Sequence, residues 1–171
     1  SLDVVGVGNA IVDVLTQADD AQLEKLDLAK GAMTLIDADR AQELYGQMGT
    51  GIEVSGGSAA NTLAGIASLG GKGAYIGKVR DDQLGEVFNH DIRAAGVDYR
   101  SRPVASGLPT ARCLIFVTPD AQRTMQTFLG VSVDLGPDDI DPEAIGQAAI
   151  TYLEGYLFDK EEAKEAFVKA A

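Results

Sequence analysis

Polar side chains and adjacent glycines in one short segment have the types and spacing needed to bind a molecule rich in hydroxyl groups. Residues 56–61 read Gly-Gly-Ser-Ala-Ala-Asn and open an apolar helical pattern. Two adjacent glycines allow the backbone to approach a ligand closely, and Ser58 can cap the helix that follows. The free N–H groups of its first turn, together with Asn61, can then meet a polar ligand. The alternative is a plain capped helix.

A second pair of polar residues, Asn9 and Asp13, follows a predicted strand over residues 4–8. Open α/β sheets bind ligands just beyond the carboxyl ends of their strands. A carboxylate there can accept two hydrogen bonds from a vicinal diol, each worth roughly 1.5–3 kcal/mol. The alternative is that Asp13 caps a turn. A dinucleotide site is not predicted, because Ile11 stands where that fingerprint requires a third glycine.

Other catalytic patterns are missing from the sequence. The phosphate-loop pattern fails around residues 70–73, and the only histidine, His90, has no partner motif. Cys113 lies in an apolar strand pattern and is predicted to be a small buried residue. Since no His, Cys or carboxylate cluster has ligand spacing, we predict no metal ligand in this chain.

The predicted elements alternate in the manner of an α/β sheet covered by helices. Strand patterns cover residues 4–8, 32–36, 73–78, 111–118, 124–129 and 149–156, and helical patterns cover 20–26, 39–48, 58–69, 83–95, 142–147 and 160–170. Two segments break the alternation. Residues 110–129 are predicted to form a hairpin with its turn at 119–122, and residues 14–36 leave the first strand and return with another. We expect both to form a small β-rich flap.

Composition limits the classes of protein. The chain has 171 residues, of which 46% are hydrophobic and 23% charged, and one domain is expected. Its net charge of −12 would repel phosphates, so nucleic acid is not an expected partner. No apolar run reaches the ~20 residues that span a bilayer, so a membrane partner is not expected either. With one cysteine, no internal disulfide can form, which favours a reducing, cytoplasmic setting.

The two polar pairs belong to a longer series of segments. Asn9…Asp13 and Gly56-Gly57…Asn61 are followed by residues 77–85, Gly-Lys-Val-Arg-Asp-Asp-Gln-Leu-Gly, and by residues 95–97, Ala-Gly-Val. Together these segments resemble the N-terminal half of the ribokinase-like (PfkB) carbohydrate kinases. Residues 8–13, 123–130 and 152–156 resemble the adenosine kinase branch in particular. The similarity covers essentially the whole chain.

The resemblance implies a fold and a binding site. The fold is α/β, a ribokinase-like three-layer α/β/α core, present in part, with a small β-sheet lid. Residues 1–171 would be the acceptor-binding part of a kinase domain, with lid segments at about 14–36 and 110–129. The apolar residues of this site, Ile11, Cys113 and Met125, suit contact with a flat base. In an ordinary protein core, such residues would only pack against one another. The predicted substrate-binding residues are Asn9, Ile11, Asp13, Gly56, Gly57, Asn61, Cys113, Met125 and Tyr156, with Leu157 as an alternative to Tyr156.

Two segments that the family uses for phosphate chemistry are absent from this sequence. These are a Gly-Ala-Gly-Asp segment, whose aspartate is the general base, and an Asn-x-x-Glu segment linked to magnesium. We therefore expect a truncated or partial chain that holds the acceptor-binding half of an ATP-dependent kinase and is inactive alone. No catalytic residue is predicted here, and ATP and magnesium would be bound mainly by the missing half.

The acceptor and the assembly remain predictions of the resemblance. Adenosine is the favoured acceptor, a nucleoside phosphorylated on its primary hydroxyl. The alternatives are a sugar kinase of the ribokinase or fructokinase type and a nucleoside-binding module without catalysis. Lid strands in the family sometimes pair between subunits, and the apolar residues 111–116 could do so. A homodimer through the lid is therefore a further expectation.

Overall fold

The computed structural model describes residues 1–171 and contains nine strands and six α-helices. The strands are β1 (Leu2–Val7), β2 (Ile11–Gln17), β3 (Met33–Leu35), β4 (Ile52–Gly56), β5 (Gly73–Ile76), β6 (Asp98–Tyr99), β7 (Ala111–Val117), β8 (Arg123–Phe128) and β9 (Ala148–Leu153). The helices are α1 (Asp20–Lys25), α2 (Ala38–Gln47), α3 (Ser58–Ser68), α4 (Gln83–Ala94), α5 (Pro142–Gln147) and α6 (Glu161–Ala170). None of them is both long enough and apolar enough to cross a membrane.

Four strands form a parallel core sheet in the order β6-β5-β1-β9. In this sheet Val4 of β1 lies opposite Gly73 of β5 on one side and Ile150 of β9 on the other. Helices α3 and α4 pack on one face through Leu63 and Phe88, while α5 and α6 pack on the other. The result is a three-layer α/β/α arrangement, as predicted. Because helices cover both faces of the sheet, the central strands β1 and β5 have apolar residues on both faces.

The other five strands form a mixed lid sheet in the order β3-β8-β7-β2-β4. The lid begins directly after the first strand of the core sheet, since residues 8–10 connect β1 to β2 without an intervening helix. Helix α2 covers one face of the lid, where Leu44 joins Leu114 and Phe116 in a core that is continuous with that of α3 and α4. The lid is therefore anchored to the core by one shared hydrophobic cluster.

All six predicted helices are present, with ends that differ by at most one residue, and all six predicted strands are present. The hairpin is confirmed as β7 and β8, and Ala121 in its turn has a φ of 64°. The lid is larger than its predicted segments, because it also includes Ile11–Asp13 and the whole of β4. Strand β4, the edge strand of the lid beside β2, was not predicted, and it runs directly into the Gly56-Gly57 turn.

Candidate functional site

Asp13 lies in the middle of the lid sheet, on the face turned away from α2. Paired residues in neighbouring strands point to the same face, and Asp13 is paired with Val54 in β4 and Cys113 in β7. Cys113 is in turn paired with Thr127 in β8. By the same alternation, Ile11 lies on this face. We call it the site face.

Apolar side chains surround the carboxylate on the site face. Met125 lies in the next row of the sheet, opposite Met33 in β3. Met33, Leu35, Ile52 and Val54 are between 38% and 65% exposed, although soluble proteins bury most side chains of this kind. The site face therefore presents the Asp13 carboxylate next to exposed apolar side chains, an arrangement suited to a ligand that has both hydroxyl groups and a flat apolar part.

The two glycines of the 56–61 segment are required by Asn9 and Asp13. A Cβ at Gly56 would lie 2.5 Å from Cγ and Oδ2 of Asp13, so the glycine leaves room for the carboxylate. Gly57 has a φ of 95°, and a Cβ there would lie 2.6 Å from the backbone oxygen of Asn9. The structure thus brings both predicted polar segments into direct contact, with each glycine packed on one of the two polar residues.

Glu154 binds both of these segments, and the sequence did not predict it as a site residue. Its side chain is 2% exposed and lies just after β9. Oε2 accepts the backbone N–H of Asn9 at 2.8 Å, while Oε1 accepts the Ser58 hydroxyl at 2.6 Å and the Ala59 N–H at 3.0 Å. This carboxylate therefore connects the end of β1, the end of β9 and the start of α3.

The prediction that Ser58 caps α3 is wrong. Gly57 occupies the N-cap position, and Ser58 is the first helical residue, with its hydroxyl turned toward Glu154. The expectation of free N–H groups at this turn is also incorrect for Ala59, whose N–H is bound by the same carboxylate. A partner distant in sequence has replaced the local cap.

The remaining predicted site residues differ in exposure. Asn9 is 2% exposed, and its Oδ1 lies 3.0 Å from the Ser132 hydroxyl, which also contacts the backbone oxygen of Leu129. Asn61 lies on the first turn of α3 with an exposed side chain. Tyr156 is 82% exposed, whereas Leu157 is buried in the cluster beneath α6. Of the two alternatives, Tyr156 is thus the one with an accessible side chain in this structure.

The electrostatics of the site face centre on Asp13. Burial raises the pKa of its carboxyl, and the positive charge of Arg123 opposes that rise. Burial also raises the pKa of the Cys113 thiol, partly offset by a hydrogen bond from Thr127 at 3.3 Å. Cys113 is 7% exposed, which confirms the predicted small buried residue. Arg123 affects the pKa of Asp13 from β8, and the sequence did not predict this because the position of Arg123 depends on the register of that strand.

We expect Arg123→Ala to raise the pKa of Asp13 further, because it removes the cation that favours the ionised carboxylate. Arg123→Lys keeps the positive charge, so the pKa of Asp13 in this variant should stay close to that in the natural sequence. A carbon-13 NMR titration of the Asp13 carboxyl measures both variants. An Asp13 pKa that is the same in Arg123→Ala as in the natural sequence would contradict this coupling.

A three-layer α/β/α core with a β-sheet lid that carries the Asp13 carboxylate is the architecture of a ribokinase-like domain. The sequence profile of the pfkB family carbohydrate kinases matches residues 20–171. The chain belongs to this family.

Solved structures of two bacterial kinases resemble the chain over almost its whole length. The adenosine kinase from Sinorhizobium meliloti is 54% identical, with a TM-score of 0.89, and the match covers 99% of this chain and 52% of that one. A probable sugar kinase from Rhizobium etli CFN 42 is 52% identical, with a TM-score of 0.89 over 99% of this chain and 51% of that one. The chain thus spans about half the length of these proteins.

Curated relatives include plant fructokinases at lower identity. The probable fructokinase-3 of Arabidopsis thaliana is 28% identical over 121 residues, which cover 70% of this chain and 35% of that protein. The match to a kinase family confirms the family that the sequence motifs predicted.

Proposed function

We propose that this chain is the acceptor-binding part of an ATP-dependent kinase that phosphorylates the primary hydroxyl of a nucleoside, with adenosine favoured. The observation that carries the proposal is the half-buried Asp13 carboxylate within the apolar site face, packed against Gly56. The 54% identity to the adenosine kinase of S. meliloti supports the choice of a nucleoside.

In this proposal, Asp13 accepts hydrogen bonds from the two hydroxyls of the ribose diol. Fixing the ring in this way orients the primary hydroxyl, a proximity effect that can lower the barrier substantially. Ile11, Cys113 and Met125 provide apolar contact for the base. Asn9, Gly56, Gly57, Asn61 and Tyr156 complete the substrate-binding set.

The residues present do not fit a site for ATP phosphates or magnesium. No group of three or more His, Cys, Asp or Glu side chains is placed to hold a metal ion. The Ala59 N–H at the start of α3, where an anion would otherwise find a donor, is bound by Glu154. We therefore assign no step of phosphoryl transfer to these residues, and place the general base, ATP and magnesium in the C-terminal half of the proposed whole kinase. The proposed kinase is cytoplasmic and can form a homodimer through the lid.

A sugar kinase of the ribokinase or fructokinase type is the second candidate. It is favoured by the similarity to a probable sugar kinase from R. etli and to the Arabidopsis fructokinase. The apolar site face argues against it, because a sugar ring would require more polar partners from the lid. A nucleoside-binding module without catalysis is a third candidate.

The test is a phosphorylation assay of the natural polypeptide with ATP and a panel of adenosine, ribose and fructose. We expect adenosine to give the highest kcat/KM, with AMP as the product. Preferred phosphorylation of fructose or ribose would establish the sugar kinase, and adenosine binding without any product would establish the module. The intact mass of the natural polypeptide shows whether it ends near the 17.9 kDa of this chain or about twice that.

A further inference from the structure

Glu154 is the most deeply buried carboxylate near the site, and its surroundings are polar in an ordered way. Three donors from two distant segments converge on it: the Asn9 N–H, the Ser58 hydroxyl and the Ala59 N–H. A buried carboxylate is costly unless hydrogen bonds satisfy it, and the start of a helix adds a favourable dipole. The charge is therefore compatible with burial only while these segments hold their positions.

The contacts of Glu154 lead to the ligand-binding residues in short steps. Ser58 and Ala59 directly follow Gly57, whose backbone packs against the Asn9 oxygen, and Gly56 packs against the Asp13 carboxylate. On the other side, the bond to the Asn9 N–H fixes the residues that connect β1 to β2, the strand of Asp13. Gly8 is packed on Glu154 as well, since a Cβ there would lie 2.9 Å from its Cδ.

We propose that Glu154 is a positioning residue for the acceptor site, which sets the distance between Asp13 and the Gly56-Gly57 turn by binding Asn9 and the start of α3 at once. Its side chain is 2% exposed, and protein donors already occupy both of its carboxylate oxygens, so the proposed role is to hold these segments rather than the acceptor. The proposal rests on the proposed function only for its kinetic readout, because the geometry that it describes can be measured without substrate.

Glu154→Gln is the test, because it keeps the size of the side chain while removing its negative charge and its ability to accept at both ends. A carboxamide nitrogen in the position of Oε2 would face the Asn9 N–H, and one in the position of Oε1 would face the Ala59 N–H. In either orientation one backbone donor loses its acceptor. Glu162→Gln, an exposed glutamate of α6, is the matched control.

In the natural polypeptide, we expect Glu154→Gln to raise the KM for the acceptor about tenfold or more, since small misplacements of binding groups are costly. The KM for ATP should stay unchanged, because ATP is bound elsewhere. Ser58→Ala, which removes one of the three bonds, should give a smaller rise. Glu162→Gln should match the natural sequence in both constants.

Hydrogen exchange of the Asn9 and Ala59 amides, measured by NMR without substrate, gives a second readout that needs no activity. We expect at least one of them to exchange faster in Glu154→Gln. Unchanged exchange at both amides, or KM values for acceptor and ATP that rise together, would overturn the positioning role. If the natural polypeptide phosphorylates no acceptor, the proposed function fails, and the exchange rates alone decide for or against Glu154.

Discussion

Asp13→Ala is expected to weaken the binding of adenosine by about 3 kcal/mol, or roughly a hundredfold in Kd, because it removes the acceptor for two charge-assisted hydrogen bonds. Asp13 is the carboxylate at the centre of the site face, paired with Val54 and Cys113. No neighbouring carboxylate shares its row of the sheet, so the loss should not be compensated. Calorimetric titration of the natural polypeptide with adenosine measures the effect, and an unchanged Kd would contradict it.

Asp13→Asn is expected to stabilise the folded protein at neutral pH. Burial raises the pKa of Asp13 above the value of about 3.8 expected in the unfolded chain. The folded protein therefore holds the proton more tightly, and the stability that this contributes is fully present below pH 3.8 and lost as the pH rises through the folded pKa. At neutral pH the ionised carboxylate is thus a destabilising group.

Asp13→Asn should accordingly raise the melting temperature at neutral pH while weakening adenosine binding. The difference in melting temperature should shrink as the pH falls below the folded pKa of Asp13, where the natural side chain is also neutral. Thermal denaturation at neutral and acidic pH compares the two proteins. A lower melting temperature for Asp13→Asn at neutral pH would show that the carboxylate supports the fold rather than binding.

Gly56→Ala is the second substitution with a large expected effect. Its Cβ would lie 2.5 Å from Cγ and Oδ2 of Asp13, closer than side-chain carbons approach such atoms, so the carboxylate must move. Gly56 does not have a positive φ, so the backbone itself accepts alanine. We expect a loss of adenosine affinity similar to that of Asp13→Ala, about a hundredfold, with the fold retained.

Gly65→Ala is the matched control, because a Cβ at Gly65 in α3 meets nothing within 4 Å. It should leave adenosine affinity unchanged and stabilise the helix by about 0.5–1 kcal/mol. Calorimetry and thermal denaturation of both variants separate the two effects. Adenosine binding by Gly56→Ala at the natural affinity would show that the position of the Asp13 carboxylate is not decisive.

Local sequence rules predicted most of the fold. The helices follow from i, i+3, i+4 apolar spacing, and Asp37, Asp82 and Asp141 cap α2, α4 and α5 with their side chains. The hairpin follows from its turn residues. The capping rule failed for Ser58, because its hydroxyl donates to Glu154, a partner 96 residues away, instead of binding the first turn of α3.

The candidate site was predictable only where its residues are close in sequence or carry the family resemblance. Nothing in the local sequence around Glu154 indicates that it binds Asn9, since that contact spans 145 residues. The positions of Arg123, Met33 and Ile52 on the site face depend on which residues of neighbouring strands are paired. The hydrophobic pattern of a short strand does not determine this register. The structure also gives the glycines a different reason, because Gly56 and Gly57 make room for Asp13 and Asn9 rather than only for a ligand.

The central claim is that Asp13 binds a vicinal diol, and a double comparison tests it most directly. Adenosine and 2′,3′-dideoxyadenosine, which lacks the diol, are titrated by calorimetry into the natural polypeptide and into its Asp13→Ala variant. We predict that adenosine binds the natural protein about a hundredfold more tightly than the dideoxy compound, and that the variant binds both equally. Equal affinities of the natural protein for the two nucleosides, or a preference that persists in Asp13→Ala, would contradict the claim.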